Sequence, residues 1–213
     1  MKTAQLALKL PFRGGKRRGA GRKPKGPRSL VSHKARPRFS KPTAVHVTLR
    51  VGTHVWNLRS RRCFSRIEAS LKQARERFGL RVIEFTVLGN HLHLVVEADS
   101  DAALSRGMQG LSIRIAKALN RLMKRSGAVF TDHFHSRPLL TPSEVVEALK
   151  YVLGNAAHHF GGAPRCDPFS SGAYDDASRR QILAIPLGWL LRCGWRRARR
   201  VPGWLRPLLA QAP

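Results

Sequence analysis

The sequence predicts an α+β fold, a ferredoxin-like antiparallel sheet with helices packed on one face. Three observations predict it. Residues 45–51 alternate between apolar and polar side chains. Gly89-Asn90 separates two further strand-like runs. Three longer stretches, starting near Phe64, Leu104 and Val145, repeat apolar residues at helical spacing.

Each element has its own signal. Val45, Val47, Leu49 and Val51 alternate with His46, Thr48 and Arg50, the period of a half-buried strand. Phe64, Ile67, Leu71, Ala74 and Phe78 recur as on a helix, with Gly79 as its stop. A second strand is expected over 81–88 and a third over 91–98, joined by the two-residue turn Gly89-Asn90. Leu104, Met108, Leu111, Ile115, Leu119 and Leu122 mark a long helix running to Gly127. Residues 130–140 read as irregular or strand-like. Thr141-Pro142-Ser143-Glu144 is a capping box with proline at the first helical position, and so starts a last helix. The order strand, helix, hairpin, helix, strand, helix suits an antiparallel sheet with a helical layer.

Charge narrows the partners. The 213 residues carry 40 Lys and Arg against 12 Asp and Glu, a formal net charge of +28. Such an excess strains a compact chain through self-repulsion and makes sense beside a polyanion. Nucleic acid is the leading partner, because each neutralised phosphate releases condensed counterions. Residues 1–42 hold 14 of these cations and no carboxylate, the first acidic residue being Glu68. They are expected to form a basic disordered arm whose Arg17, Arg18, Arg22 and Lys23 contact DNA. Residues 43–160 then form the folded domain, and 161–213 a basic, Trp-containing tail. Arg114 and Lys150, on the second and third helices, are further candidate DNA contacts.

Cys63, Cys166 and Cys193 are too widely spaced for a metal site and argue for a reducing compartment. The apolar run at the start is broken at Lys9, and no window approaches the ~20 apolar residues that span a bilayer. The expected location is the cytoplasm, at the nucleoid, with no membrane partner.

The chemistry concentrates in His91-Leu92-His93-Leu94-Val95-Val96-Glu97. Residues two apart on a strand share a face, so both imidazoles project together while Leu92, Leu94 and Val96 face the helices. Two imidazoles on one rigid strand make half a coordination shell. Alone, the pattern equally describes two solvated histidines. On the last helix, Val145, Leu149, Val152 and Ala156 form the core stripe, while Tyr151 and Asn155 stand four apart on a neighbouring one. Tyr151 supplies a hydroxyl nucleophile and Asn155 an oxygen ligand one turn away. A rival pair, His133 and His135, fits the same His–hydrophobic–His pattern but in weaker strand surroundings. His158 and His159 are candidate substitute ligands or helix caps. Trp56, Trp189, Trp195 and Trp204 either stack on bases or pack the tail onto the core.

In this order and spacing, Asn90 to Glu97 and Lys150-Tyr151-Val152-Leu153-Gly154-Asn155-Ala156 resemble the motifs of single-tyrosine, His–hydrophobic–His transposases, especially the REP-associated tyrosine transposases of bacteria. Ser105 to Gly110 and Asn120 resemble the intervening helix of that family. Asp167-Pro168-Phe169-Ser170-Ser171-Gly172 and residues 189–197 are similar to its tail elements. The resemblance implies Tyr151 as nucleophile, His91, His93 and Asn155 as ligands of magnesium or manganese, and single-stranded or hairpin DNA as substrate. It implies cleavage and rejoining through a 5′-phosphotyrosine. Imidazole ligands on their own favour manganese over magnesium. No nucleotide-binding loop is present, so no nucleotide cofactor is expected. Asn155 is followed by Ala156 where many members have proline. A homodimer, with the tyrosine serving either subunit, stays open. The competing expectations are a non-catalytic, ferredoxin-like protein binding single-stranded DNA or RNA, and an inactive transposase relic. The first lacks the strand aromatics usual for base stacking.

Overall fold

The computed structural model describes residues 38–161 and 167–207, apart from the side chains of 156 and 158–160. Its elements are β1 (Thr43–Arg50), α1 (Arg61–Ala74), β2 (Glu76–Arg77), β3 (Leu80–Val87), β4 (His91–Ala98), α2 (Asp101–Leu122), β5 (His135–Leu139) and α3 (Pro142–Phe160). Beyond them come α4 (Asp176–Ile182) and α5 (Trp189–Arg192). The strands form one antiparallel sheet in the order β2-β3-β4-β1-β5. β1, whose alternation is the cleanest in the chain, lies between β4 and β5.

The α+β antiparallel class is the expected one, with a difference in layering. Val45, Val47, Leu49, Leu92, Leu94 and Val96 pack with Ile67 and Leu71 of α1 and Leu104, Met108 and Leu111 of α2 on one face. α3 lies on the other face, where Val145, Leu149, Val152 and Leu153 pack with Ala44, Ile83, Val95 and Leu139. The sheet is therefore covered on both sides, and all eight residues of β3 are buried. A bulge between Val82 and Glu84 reverses the inward phase of β3. Leu80 and Val82 face α1 and α2 before it, Phe85 and Val87 after it, and Ile83 turns toward α3. This explains why no simple alternation is visible there in the sequence.

Helix ends differ from expectation for local reasons. α1 stops at Ala74, and Phe78 (φ 57°) and Gly79 (φ 75°) form the turn joining β2 to β3. Phe78 is thus exposed in a hairpin rather than buried on a helical stripe. α2 ends at Leu122, and Asn120 Nδ2 donates to the Gly127 carbonyl at 2.8 Å across the turn that follows. At α3 the capping box is as expected: Thr141 Oγ1 accepts from Glu144 N, and Glu144 accepts from Thr141 N.

The chain beyond α3 is held to the sheet by buried charge. Asp167 accepts two bonds from Arg59, at 2.9 and 2.7 Å. Val87 N donates to Phe169 O, and Ser170 bridges to Thr86. Ser171 Oγ donates to Glu84 at 2.6 Å, and Arg179 pairs with the same carboxylate. Glu97, at the end of the His-x-His strand, accepts from Arg81 Nε at 2.8 Å and from the backbone of Leu187 and Gly188 at 2.8 and 2.7 Å. Trp195 and Leu205 are buried against α3, and Trp204 is partly buried there. Packing is the role of these two tryptophans. Trp56 and Trp189 are exposed, each with a guanidinium over its ring. No helix among the described residues is long and apolar enough to cross a membrane.

Candidate active site

β4 carries His91 and His93 on the face toward α3, two residues apart, with ring centroids 4.8 Å apart and edge to face. His93 is 4% exposed and His91 half-buried. The register then fixes their neighbours. Thr48 of β1 stands opposite His93 on one side and His135 of β5 on the other, so these three form one row across the sheet. His93 Nδ1 lies 3.1 Å from Thr48 Oγ1 and 3.3 Å from His46 Nε2. His91 Nδ1 lies 2.7 Å from Asn90 Oδ1. With both Nδ1 atoms engaged in this way, Nε2 is the ligating nitrogen each ring would offer a cation.

α3 brings the phenol. Tyr151 presents its ring edge-on to His93 at 5.0 Å and to His46 at 5.7 Å, and it is 50% exposed, open to a substrate. The sequence separates Tyr151 from His93 by 58 positions, and the packing of Leu149 and Val152 against the sheet closes the gap. Asn155, one turn further along α3, is 4% exposed. Its amide nitrogen is buried and meets no hydrogen-bond partner among the described residues. That nitrogen is a donor, so its missing partner is an acceptor such as a phosphate oxygen; toward a cation only the amide Oδ1 could serve as ligand. Two imidazoles and one amide suit a divalent ion, leaving further positions for substrate oxygens. Among the described residues no group of three or more His, Cys, Asp or Glu is gathered as a metal cluster.

Sequence reasoning missed three members of the site. His46 stacks on His93 at 5.3 Å. Burial, reinforced by the nearby charges of His135 and Arg137, holds its pKa down to about 4, so it is neutral at physiological pH. Thr48 touches His93, and Arg137 joins His46, Glu144 and Tyr151 around a cleft of about 580 Å³. The alternation of β1 already put His46 and Thr48 on one face. What was missing is that β1 pairs with β4.

The rival pair does not share a strand face. β5 begins at His135, and His133 precedes it; both are exposed. Lys150 pairs with Glu147 on the outer surface of α3. Arg114 lies on α2, on the far side of the sheet. Arg17, Arg18, Arg22 and Lys23 lie outside the described residues, as do the side chains of His158 and His159.

Residues 42–155, more than half of the chain, match the family model for IS200-like transposases. No curated protein matches the chain. Among solved structures, that of a REP-associated tyrosine transposase bound to a REP hairpin is 14% identical, with a TM-score of 0.57, covering 74% of this chain and 92% of that one. A Deinococcus radiodurans R1 protein, only provisionally assigned as a transposase, is 12% identical with a TM-score of 0.41, covering 56% of this chain and 95% of that one. The first likeness is one of fold; the second is too weak to carry an argument.

Proposed function

Since the chain belongs to the IS200-like transposase family, we propose that it cuts and rejoins DNA with Tyr151 as its nucleophile. The observation that carries this reading is the half-exposed Tyr151 ring 5.0 Å from His93, on the one sheet face that presents two histidines together. The substrate is single-stranded or hairpin DNA, in keeping with the hairpin bound to the structural neighbour. The open cleft beside Tyr151 is lined by Arg137 and the neutral His46.

His91, His93 and Asn155 would hold magnesium or manganese. When bound, that cation supplies Lewis-acid neutralisation of the phosphodiester charge. Tyr151 does the covalent work. Its hydroxyl oxygen attacks phosphorus and gives up its proton to solvent. A Tyr–O–P bond forms to the 5′ side, the P–O3′ bond breaks, and the departing 3′ oxygen takes a proton to become a free hydroxyl. The bond energy is conserved in the phosphotyrosine. A second 3′ hydroxyl attacking the same phosphorus therefore rejoins DNA and releases Tyr151, without a nucleotide cofactor. His46 and Thr48 act by orienting the His93 ring, and Asn90 by orienting His91.

The test is a covalent adduct. Wild-type protein incubated with 5′-flanked hairpin DNA and manganese or magnesium should yield a protein–DNA species that survives denaturation. Tyr151→Phe should yield none while still binding the DNA. His91→Ala should abolish metal-dependent adduct formation, and His135→Ala should retain it. Normal cutting by the Phe variant would overturn the nucleophile assignment. The reverse result for the two histidines would move the ligands to β5.

A further inference from the structure

The segment Asp167-Pro168-Phe169-Ser170-Ser171 is bonded along β3, the strand beside the one that carries His91 and His93. We propose that it is a positioning element for those histidines. Asp167, acting through Arg59, fixes the β3–β4 turn and so sets the affinity of the site for its cation. This rests on reading His91, His93 and Asn155 as the cation's ligands.

A short chain of contacts joins the carboxylate to His91. Arg59 Nη1 donates to Asp167 Oδ2 at 2.9 Å and to Val87 O at 3.0 Å, and Nη2 donates to Asp167 Oδ1 at 2.7 Å. Val87 is the last residue of β3, and the turn follows at once. The loop that carries Arg59 grips that turn as well. Leu58 N donates to Gly89 O at 2.9 Å, and Val51 N to Asn90 O at 3.0 Å. Asn57 Oδ1 accepts from Arg59 N at 2.9 Å and keeps the loop in shape. Asn90 Oδ1, 2.7 Å from His91 Nδ1, completes the path. A second contact approaches His93. Thr86, fully buried, stands opposite His93 in the strand register, and its hydroxyl lies 3.5 Å from Asp167 Oδ2.

Anchoring the C-terminal segment does not require this pair. Ser170 and Ser171 already bond Phe85 O and Glu84, and Phe169 O accepts from Val87 N. The Arg59 and Asp167 side chains are 17% and 7% exposed, and a pair so far desolvated adds little net stability over apolar packing. What it adds is geometry. A two-pronged guanidinium–carboxylate contact fixes orientation, the third bond goes to Val87 O, and the Phe169 ring lies 4.4 Å from the guanidinium carbon. Both Asp167 oxygens are engaged, by Arg59, Thr86 Oγ1 and Phe169 N, so the residue supports ligands rather than being one. Groups beyond the ligands typically govern 10–100-fold of a site's metal affinity by holding the rings in place.

The test measures Mn2+ binding to the full chain without DNA, from the EPR signal of the unbound ion, well below the melting temperature of every variant. His91→Ala should abolish binding, which identifies the site being read. Asn90→Ala and Asp167→Asn should each weaken it by about 10-fold. Asp167→Asn/Asn90→Ala should fall well short of the roughly 100-fold loss expected of independent sites, because both changes loosen the same turn. Arg59→Lys keeps the charge but lacks the planar fork. It should match Asp167→Asn, and it replaces that variant should the latter not fold. Tyr174→Phe removes a different anchor of the C-terminal segment, the bond to Glu68 on α1. It should lower Tm yet leave affinity within about 2-fold. Unchanged affinity in Asp167→Asn, with His91→Ala still abolishing binding, would overturn the positioning role and leave the ligand assignment intact. An equal loss in Tyr174→Phe would reduce Asp167 to a tail anchor. No binding by the wild type, or binding indifferent to His91→Ala, would overturn the ligand assignment and the positioning role with it.

Discussion

Replacing Glu97 by alanine should destabilise the domain far more than its place beside the active strand suggests. Its carboxylate accepts from Arg81 Nε at 2.8 Å, Leu187 N at 2.8 Å and Gly188 N at 2.7 Å. The Arg81 and Glu97 side chains are 3% and 1% exposed. Removing one partner of a buried pair leaves the other charge unsolvated, at a cost of about 3–5 kcal/mol. Arg81 keeps its bond to Asp99, but that carboxylate is half-exposed and already engaged, so relief from it is small. In a folded unit of this size each kcal/mol lowers Tm by about 2–4 °C, which gives a fall of about 6–20 °C. The segment carrying Trp195 and Leu205 should loosen from α3 at the same time, seen as faster tryptic cutting at Arg192, Arg196 and Arg197. Arg81→Met/Glu97→Met removes both charges together and should recover at least half of the loss. A fall under about 2 °C with unchanged proteolysis, or a double variant as unstable as the single, would refute the idea that this pair clamps the C-terminal segment.

Two further outcomes follow from the packing. At Gly107 a Cβ would come within 2.4 Å of Leu80 Cβ where α2 crosses β3, whereas at Gly154 nothing lies within 4 Å. Gly107→Ala should thus cost about 1–3 kcal/mol through overpacking, and Gly154→Ala should gain about 0.5–1 kcal/mol from helix propensity; urea midpoints of opposite sign would check both. Glu144 is held below the usual carboxylate range chiefly by the backbone N–H of Leu140, with Arg137 and Thr141 adding to it. A depressed folded-state pKa means that the stabilisation is present above the ordinary carboxylate range and is lost as pH falls through the folded value. The stability gap between wild type and Glu144→Gln should therefore close on acidification, and a gap constant from pH 7 to pH 2 would contradict the capping role.

Much of the fold was legible because its signals are local. The alternation of 45–51, the Gly89-Asn90 turn and the capping box at Thr141 each depend on a few neighbouring residues, and the structure bears out all three, with the first strand running Thr43–Arg50. Phe78 misled because helical spacing does not register a competing hairpin, and its neighbour Gly79, at φ 75°, accommodates the turn. The bulge at Ile83 was invisible for a related reason: its phase is set by what packs on each face.

The sequence by itself determined which side chains could be chemical, since His91 and His93 must share a strand face and Tyr151 and Asn155 a helical side. Only the tertiary structure decided that α3 crosses the histidine face, that His46 and Thr48 hold His93, and that Arg59 joins Asp167 to the end of β3. Periodicity fixes a side chain's direction relative to its own element. Which elements become neighbours depends on burying apolar surface across the whole chain, where contacts such as Leu149 on the sheet, Trp195 on α3 and Glu97 on Gly188 join residues far apart in sequence.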